Sequence, residues 1–306
     1  MKIIVTGGAG FIGSHIVDAY IAAGHRVVVI DDLSTGSREN LHPKAKFYKA
    51  DINDMKAIET IFKKEHPSIV NHHAAMIDVV RSFREPASTF ATNIIGTGNL
   101  LHAFGTYGRE GNKKFIFASS GGAIYGDLKK IPATEKASIM PLSPYGLSKL
   151  LGEEMVRYYT RYFGFGFTVL RYANVYGPRQ NARGEAGVVA IFGRLIKEGV
   201  RPVIFGDGTK GRDYVHVSDV VAANRLALKK GNGEVMNIGL GKVISDKAVF
   251  DAVAKGLGFK QDPIFAPYRK GEVYRISLNA SRAKKILGWR PKETFAESVQ
   301  KMFRKR

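Results

Sequence analysis

The sequence of 306 residues contains no cysteine. Disulfide bonds, thiolate metal sites and cysteine nucleophiles are therefore excluded. Long hydrophobic runs are also missing, because the densest apolar stretches, such as Val27–Ile30, are far shorter than the roughly 20 residues of a membrane-spanning helix. The chain passes from Met1 and Lys2 directly into apolar residues, which leaves no room for a signal peptide. We therefore expect a cytoplasmic protein with no membrane contact.

Negative charge is scarce. The chain has 47 Lys and Arg residues against 27 Asp and Glu residues, which gives a formal net charge of +20. Clustered cations bind nucleic acid by releasing phosphate counterions, but here the basic residues are scattered and no basic run is interleaved with aromatic residues. We therefore expect a basic surface that favours polyanionic small ligands, and no nucleic-acid partner.

Short apolar runs alternate with helical patterns along much of the chain. The runs are Lys2–Val5, Arg26–Ile30, Lys46–Ala50, Ser68–Asn71, Phe115–Ala118 and Thr168–Arg171. Between the first two runs, Phe11–Ala23 has apolar residues at helical spacing. Strands linked by crossover helices predict an α/β protein with a doubly wound parallel sheet of the Rossmann type. Such sheets bind ligands beyond the carboxyl ends of their strands.

The pattern becomes less regular after about residue 174. A helix at Gly187–Glu198 and a strand at Pro202–Phe205 are predicted there, and Asp219–Lys229 with Val235–Ile238 indicates a return to the main sheet. The sequence therefore predicts a first domain of residues 1–173 with a return segment at about 213–238. Residues 174–212 and 239–306 are predicted to form a smaller C-terminal α/β substrate lobe.

Three glycines, Gly7, Gly10 and Gly13, follow the first strand and open the first helix. Glycines in this place let the backbone approach a pyrophosphate, whose charge then lies at the helix N-terminus. Asp31 ends the second strand, 18 residues after Gly13. Its carboxylate can accept both hydroxyls of an adenosine ribose and would repel a 2′-phosphate. This pattern predicts NAD rather than NADP as the cofactor, with a purely structural glycine turn as the alternative.

Tyr145 and Lys149 stand four residues apart. Tyr145 follows Pro144 and begins a helical stretch that reaches Phe163, so both side chains share one helix face. An ammonium beside a phenol favours the phenolate, and we therefore expect Lys149 to lower the pKa of Tyr145 towards neutrality. Tyr145 is then a candidate proton shuttle. An exposed tyrosine–lysine pair without a function is the alternative interpretation.

These motifs occur in the order found in the extended short-chain dehydrogenase/reductases. The further segments that carry the resemblance are Asn71–Ala75, Ser119–Gly126, Leu170–Arg179, Gly211–Val217 and Leu287–Pro291. Together they cover nearly the whole chain. The chain resembles the nucleotide-sugar branch of this family, and most closely the UDP-glucose 4-epimerases.

The resemblance implies a set of NAD contacts besides the three glycines. Those around the adenosine and pyrophosphate are Phe11, Ile12, Asp31, Asp32, Ser34, Thr35, Gly36, Asp51 and Ile52. Those towards the other half of the cofactor are His73, Ala74, Ala75, Ile77, Asn93, Ser119, Tyr145, Lys149 and Ala173.

The resemblance also implies a substrate site for a UDP-sugar. Its expected members are Ser120, Tyr145, Asn174, Val188, Arg212, Arg269 and Glu272. The hydroxyl residue that bonds the 4-hydroxyl of the sugar in this family falls here on Gly121, so we expect Ser120 to supply that hydroxyl, with Ser119 as the alternative. No metal site is expected, because the adjacent residues of the His72-His73 pair point to opposite faces of a strand.

The reaction implied by the resemblance interconverts UDP-glucose and UDP-galactose. Tyr145 removes the proton of the 4-hydroxyl, NAD accepts the hydride from C4, and the 4-keto sugar rotates and is reduced on its other face. Another UDP-sugar, such as UDP-N-acetylglucosamine or UDP-glucuronate, or a nucleotide-sugar dehydratase or reductase reaction, remains an alternative. The resemblance disfavours elimination, because relatives that eliminate typically carry acidic residues between the hydroxyl residue and the Tyr-Gly of this loop, where this chain has Gly122-Ala123-Ile124.

Two further expectations follow from the resemblance. Some relatives carry a bulky aromatic residue near the sugar ring where this chain has Ile276, and a smaller residue there would favour an N-acetylated sugar. The chain is also expected to form a homodimer through helices near residues 86–108 and 145–163. A non-enzymatic NAD-sensing or RNA-binding relative is the alternative from another class, and it would be expected to lack the Tyr145–Lys149 pair.

Overall fold

The computed structural model describes residues 1–111, 113–182, 187–268 and 273–304. Its strands are β1 (Lys2–Thr6), β2 (Arg26–Asp31), β3 (Lys46–Lys49), β4 (Ile69–His72), β5 (Lys114–Ser120), β6 (Gly166–Tyr172), β7 (Asn174–Tyr176), β8 (Val203–Phe205), β9 (Gly211–Arg212), β10 (Tyr214–His216), β11 (Glu234–Ile238), β12 (Ile244–Ser245) and β13 (Ile264–Ala266). Seven of them form one sheet in the order β11-β6-β5-β4-β1-β2-β3. Every neighbouring pair in this sheet is parallel, which confirms the predicted fold class.

Helices connect these strands. They are α1 (Phe11–Ala22), α2 (Met55–Glu65), α3 (Val79–Arg84), α4 (Pro86–Phe90), α5 (Thr97–Tyr107), α6 (Gly121–Ile124), α7 (Pro144–Phe163), α8 (Val188–Lys197), α9 (Val217–Ala227), α10 (Asp246–Leu257), α11 (Ser281–Leu287) and α12 (Phe295–Phe303). A short 3₁₀ helix covers Arg38–Asn40, and a π-helical turn at Ala91–Gly96 leads into α5.

The central sheet is buried on both faces. Along β1, Ile3 and Val5 pack in a core that includes residues of α1 and α9, whereas Ile4 packs in a second core with residues of α2, α5 and α7. Successive side chains of a strand point to opposite faces, so one apolar strand serves both cores. Parallel strands covered by helices on both faces therefore explain the uninterrupted apolar runs of the sequence.

Local sequence explains where α7 begins and ends. The Ser143 hydroxyl accepts a hydrogen bond from the backbone N–H of Gly146 at 3.1 Å, and Pro144 occupies the first turn, where its missing N–H is harmless. At the other end, Gly164 adopts a left-handed conformation with φ of 72°. The helix predicted from Tyr145 to Phe163 is therefore confirmed.

The smaller lobe has its own core. Buried residues of α8, α10 and α12, among them Phe192, Phe250 and Val299, pack together. The predicted helix at Gly187–Glu198 is α8, the predicted strand at Pro202–Phe205 is β8, and the predicted return to the sheet is α9 followed by β11. The exact boundaries between the two domains remain a prediction. Within the described residues, no helix has both the length and the apolar character needed to cross a membrane.

Candidate active site

The glycine loop joins β1 to α1 at the carboxyl edge of the sheet. Gly7 has φ of 68°, and a Cβ at this position would lie 2.7 Å from the backbone nitrogen of Ala74. A Cβ at Gly13 would overlap the carbonyl oxygen of Gly7. Both positions therefore require glycine. Among the described residues no side chain caps the start of α1, so the first N–H groups of the helix, at Phe11, Ile12 and Gly13, are available to an anion.

Asp31 holds this loop from the end of β2. Its two carboxylate oxygens accept hydrogen bonds from the backbone N–H groups of Ala9 at 2.9 Å and Leu33 at 2.8 Å. The side chain is largely buried, and burial raises its pKa, while the two backbone hydrogen bonds lower it. Each carboxylate oxygen keeps lone pairs for a further donor. The structure thus gives Asp31 a loop-positioning role, and its predicted contact with a ribose remains a prediction.

The segment after β2 wraps over the glycine loop. Asp32 accepts from the backbone and the hydroxyl of Ser34 at 2.9 and 2.7 Å, and Thr35 follows in the same exposed turn. The backbone of Gly36 runs so close to Ala9 that a Cβ would lie 2.9 Å from the carbonyl carbon of Ala9. At the end of β3, Asp51 is exposed, and the adjacent Ile52 is buried against Gly96.

The segment after β4 forms the next wall of the site. His73 donates its backbone N–H to the carbonyl of Thr6 at 3.1 Å, and Ala74 donates to the Thr6 hydroxyl at 3.2 Å. Burial, and then the nearby Lys149, lower the pKa of His73 to about 3, so its ring is neutral. The ring stacks on Tyr172 with centroids 6.1 Å apart, and its Nε2 is buried without a hydrogen-bond partner in the described structure. Ala75 continues this segment, and Ile77 is 61% exposed at its end.

Tyr145 and Ser120 meet at the carboxyl end of β5. Ser120 is the last residue of β5, and its side chain forms a hydrogen bond with the phenol of Tyr145, which lies on the first turn of α7. By contrast, the Ser119 hydroxyl points into the protein, where it donates to the carboxylate of Glu153 at 2.6 Å. The structure therefore favours Ser120 over Ser119 as the hydroxyl beside Tyr145. Contacts of Ser119 with the cofactor remain a prediction.

Lys149 lies one turn after Tyr145 and is 5% exposed. Its Nζ donates to the carbonyl oxygen of Ala118 at 3.0 Å and lies 5.2 Å from the centre of the Phe117 ring. Burial lowers the pKa of Lys149 to about 8. Burial also raises the pKa of Tyr145, an effect that the hydrogen bond with Ser120 opposes. The prediction that Lys149 lowers the pKa of this phenol in the polypeptide is therefore wrong, because burial has the largest effect on that pKa and Lys149 is not among the groups that shift it.

Besides Ser120 and Tyr145, the structure describes three of the predicted substrate residues, Asn174, Val188 and Arg212. Ala173 and Asn174 follow β6, and their backbones donate to Ile238 and Asp213 at 2.9 Å each. Val188 begins α8. Arg212, on β9, donates through Nη1 to the carbonyl of Tyr274 at 3.2 Å. The remaining two predicted residues, Arg269 and Glu272, lie outside the described residues. The substrate contacts of these five residues and the cofactor contact of Ala173 remain predictions.

Sequence reasoning missed Asp213, which ties together three chain segments that are far apart in sequence. This carboxylate is 1% exposed and accepts backbone hydrogen bonds from Leu240, Gly241 and Leu278 at 2.9 to 3.0 Å. Burial raises its pKa to about 6, although the three hydrogen bonds act in the opposite direction. The available signal was its place directly before the apolar residues Tyr214 and Val215, because a charged residue that is buried beside such residues must find buried partners.

The residues present fit a dinucleotide. The uncapped α1 N-terminus suits a diphosphate, the glycines leave the backbone open, and the buried Nε2 of His73 has a free lone pair or proton. Among the described residues, no three His, Asp or Glu side chains are grouped so that they could hold a metal ion.

Comparisons with known proteins agree with this geometry. A model of the NAD dependent epimerase/dehydratase family matches residues 3–239. The structure of a UDP-glucose 4-epimerase from Thermotoga maritima with UDP-glucose is 47% identical in sequence, superposes with a TM-score of 0.96, and the match covers 99% of this chain and 97% of that chain.

Two further solved structures bear on cofactor and substrate. A UDP-glucose 4-epimerase from Thermus thermophilus in complex with NAD is 40% identical, with a TM-score of 0.93 and coverage of 99% and 98% of the two chains. A UDP-N-acetylglucosamine 4-epimerase from Methanobrevibacter ruminantium, in complex with UDP-N-acetylmuramic acid, is 33% identical, with a TM-score of 0.91 and coverage of 99% and 96%.

Proposed function

The chain belongs to the NAD dependent epimerase/dehydratase family, and we propose on that basis that it interconverts UDP-glucose and UDP-galactose. It is an NAD-dependent 4-epimerase of a UDP-sugar, and the identity of the sugar is the proposed part. One observation carries the proposal: the phenol of Tyr145 and the hydroxyl of Ser120 are hydrogen-bonded at the carboxyl edge of a nucleotide-binding sheet.

Tyr145 and Ser120 supply the proton chemistry at the 4-hydroxyl. The phenolate of Tyr145 takes the proton from this hydroxyl, while Ser120 orients the oxygen through a hydrogen bond. NAD, when bound, supplies the hydride acceptor and donor at C4 and, in its oxidised form, the positive charge that favours a buried phenolate. After the 4-keto sugar has rotated and is reduced on its other face, Tyr145 returns the proton to the oxygen at C4.

Lys149 places a buried positive charge one helical turn after Tyr145. The Nζ donates to a backbone carbonyl, and among the described residues no carboxylate is recorded as its partner. We propose that this ammonium donates to a ribose hydroxyl of bound NAD, and that the phenolate of Tyr145 is favoured only when the positive charge of the oxidised cofactor is also present. The NAD-holding residues are proposed to be the α1 N-terminus, Asp31, and the segment from His73 to Ile77, supported by Asn93.

UDP-N-acetylglucosamine is the second candidate substrate. The likeness to the epimerase from Methanobrevibacter ruminantium favours it. The sequence argument for it rests on the small side chain of Ile276, but this side chain is 2% exposed and packs in the core beside Leu278. A buried position gives weak support for a wider sugar site, so the unsubstituted sugars remain the main proposal.

A homodimer is proposed through the outer face of α7 and the helical segment near residues 86–108. Leu147, Leu151, Tyr158 and Tyr162 form an exposed apolar stripe along α7, with the two tyrosines 56% and 72% exposed. A furrow of about 300 Å³ lined by Ile94, Leu151, Glu154, Met155 and Tyr158 lies beside it. Contiguous apolar surface of this kind is typical of a protein–protein contact.

One experiment tests both substrates. The purified protein is incubated with UDP-glucose, UDP-galactose and their N-acetylated counterparts, without added NAD, and the products are resolved by NMR. We expect conversion of the two unsubstituted sugars to a common equilibrium mixture, because NAD is regenerated in each turnover and stays bound. Conversion of only the N-acetylated pair would replace the main proposal by the second candidate.

A further inference from the structure

Three residues of α7 face β5 on successive turns. Tyr145, Lys149 and Glu153 are spaced by four residues and therefore lie along one side of the helix. Each one bonds a different residue at the end of β5: Tyr145 meets Ser120, Lys149 donates to the Ala118 carbonyl at 3.0 Å, and Glu153 accepts from Ser119 at 2.6 Å. The two residues proposed for catalysis thus share their helix–strand contact with a third, Glu153.

Glu153 is held from the opposite side by an arginine. Its side chain is fully buried, and its two carboxylate oxygens accept from Nε and Nη2 of Arg171 at 2.9 and 2.6 Å. Arg171 lies on β6, directly opposite Ser119 in the strand register. Its remaining Nη1 donates to the Tyr125 hydroxyl at 2.9 Å. A bidentate pair of this kind fixes orientation as well as distance.

Stability alone does not explain this ion pair. Removing two charges from water costs several kcal/mol per ion, and a well-packed apolar pair in the same place is often equally stabilising or more so. A buried carboxylate between a helix and two strands does, however, allow only one alignment of the three elements. The alignment that it selects is the one in which the phenol of Tyr145 reaches the hydroxyl of Ser120.

We propose that Glu153, oriented by Arg171, is a positioning residue that sets the register of α7 against the end of β5 and thereby the contact between Tyr145 and Ser120. The kinetic part of this inference rests on the proposed epimerase function. The structural part concerns only residues of this chain and is open to a separate measurement.

The test compares a variant that breaks the Glu153–Arg171 ion pair with a variant that replaces both residues by apolar ones. Glu153→Gln keeps the shape of the side chain but leaves Arg171 without its counter-charge. The double variant Glu153→Leu/Arg171→Met replaces the pair by packed apolar groups and is expected to recover thermal stability. Glu65→Gln is the matched control, because Glu65 is also a buried carboxylate, bound by Lys2 at 3.1 Å and Lys46 at 2.5 Å near the opposite edge of the sheet.

We expect kcat to fall about 10- to 100-fold in both Glu153 variants, with KM for the UDP-sugar within about twofold. The melting temperature should fall in Glu153→Gln and recover in the double variant, whereas kcat should not recover. Glu65→Gln should lose stability but keep its kcat. If kcat returns together with the melting temperature in the double variant, the pair is merely structural and the proposal is overturned.

A titration gives the independent readout. With tyrosines labelled at Cζ with ¹³C, the resonance of Tyr145 is assigned by its loss in Tyr145→Phe. Because the hydrogen bond with Ser120 lowers the pKa of this phenol, misalignment should raise that pKa in both Glu153 variants and leave it unchanged in Glu65→Gln. An unchanged phenol pKa in the Glu153 variants overturns the positioning role. If the wild type turns over no UDP-sugar, the proposed function fails while the titration still decides the role of Glu153.

Discussion

The side-chain amide of Asn93 forms two hydrogen bonds with the backbone of Met76. Its Oδ1 accepts from the backbone N–H of Met76 at 2.8 Å, and its Nδ2 donates to the carbonyl of Met76 at 2.9 Å. The same Nδ2 donates to the Ser148 hydroxyl on α7 at 2.9 Å. The segment that follows β4 is therefore tied to the helix that carries Tyr145, through a residue that was predicted to contact NAD directly.

Asn93→Ala is expected to release NAD more readily. Without the amide, the backbone around Met76 loses two hydrogen bonds worth about 1 kcal/mol each, and the wall formed by residues 73–77 becomes looser. We expect a roughly 10-fold increase in the dissociation constant of NAD, measured by fluorescence on protein freed of nucleotide. Unchanged NAD affinity in a variant that folds normally would show that the hydrogen bonds of Asn93 to the backbone of Met76 do not support NAD binding.

Tyr145→Phe is expected to abolish turnover and leave NAD bound. The phenylalanine keeps the ring but has no group to take or return the proton of the 4-hydroxyl, a loss of about 100-fold or more in kcat. Activity is followed by NMR of the UDP-sugars and bound NAD by absorbance after denaturation. Tyr48→Phe serves as the control, because it removes a hydroxyl that donates to Glu65 at 2.6 Å. Substantial residual activity in Tyr145→Phe would refute the assignment.

Asp31 is expected to make the protein select NAD over NADP. A 2′-phosphate beside this carboxylate would suffer charge repulsion, so we expect NADP to bind at least about 10-fold more weakly. Titration of both nucleotides into nucleotide-free protein measures the ratio. Asp31→Asn should reduce this ratio of affinities, and it also replaces one of the two side-chain oxygens that accept from the backbone N–H groups of Ala9 and Leu33. Comparable affinities of the wild type for the two nucleotides would count against this role.

Asp213 is expected to make stability depend on pH between about 4 and 6. Its folded-state pKa of about 6 lies above the ordinary 3.8, so the folded protein holds more protons than the unfolded chain in this window. The contribution of Asp213 to the unfolding free energy is therefore greatest at low pH and falls as the pH rises through 6, by up to about 3 kcal/mol.

Denaturant unfolding of the wild type and Asp213→Asn measures this effect. The difference in unfolding free energy, wild type minus variant, should decrease from pH 4 to pH 6 and level off above it. The variant also loses an acceptor for the N–H groups of Leu240, Gly241 and Leu278, which adds an offset that does not depend on pH. A difference that stays constant across the window would contradict the raised pKa.

The outer face of α7 is expected to form the dimer contact. Leu151→Lys/Tyr158→Lys places two like charges on the apolar stripe and should shift the protein to a monomer in sedimentation velocity. Val200→Lys is the control, because Val200 is an apolar residue 47% exposed in the smaller lobe. A wild type that sediments only as a monomer, or a double variant that remains dimeric, would rule out this contact.

Local pattern predicted the elements that carry the site, but not the contacts between them. The apolar runs, the glycines at positions 7, 10 and 13, and the helix from Tyr145 onward are each specified by neighbours in sequence, so strand, turn and helix could be predicted. The sequence shows that Ser119 and Ser120 face opposite sides of β5. It does not show which of them faces Tyr145, because the sheet is buried on both faces. Only the position of Glu153 decides which serine faces the interior.

The electrostatics of Tyr145 were predicted incorrectly for a related reason. Spacing shows that Lys149 shares a helix face with Tyr145, but it does not show how deeply the phenol is buried or that the ammonium bonds Ala118. Asp213 was missed because its three partners come from residues 240, 241 and 278, far along the chain. Long-range burial and pairing are set by tertiary packing, which a single sequence does not display.

The inner and outer sides of α7 are only about one helix diameter apart, roughly 10 Å. A small molecule that fills the furrow between Ile94 and Tyr158 would therefore contact the helix that carries the Tyr145 phenol. In the proposed homodimer the same molecule would compete with the partner subunit for the outer face of α7, so its effect on activity would depend on the protein concentration.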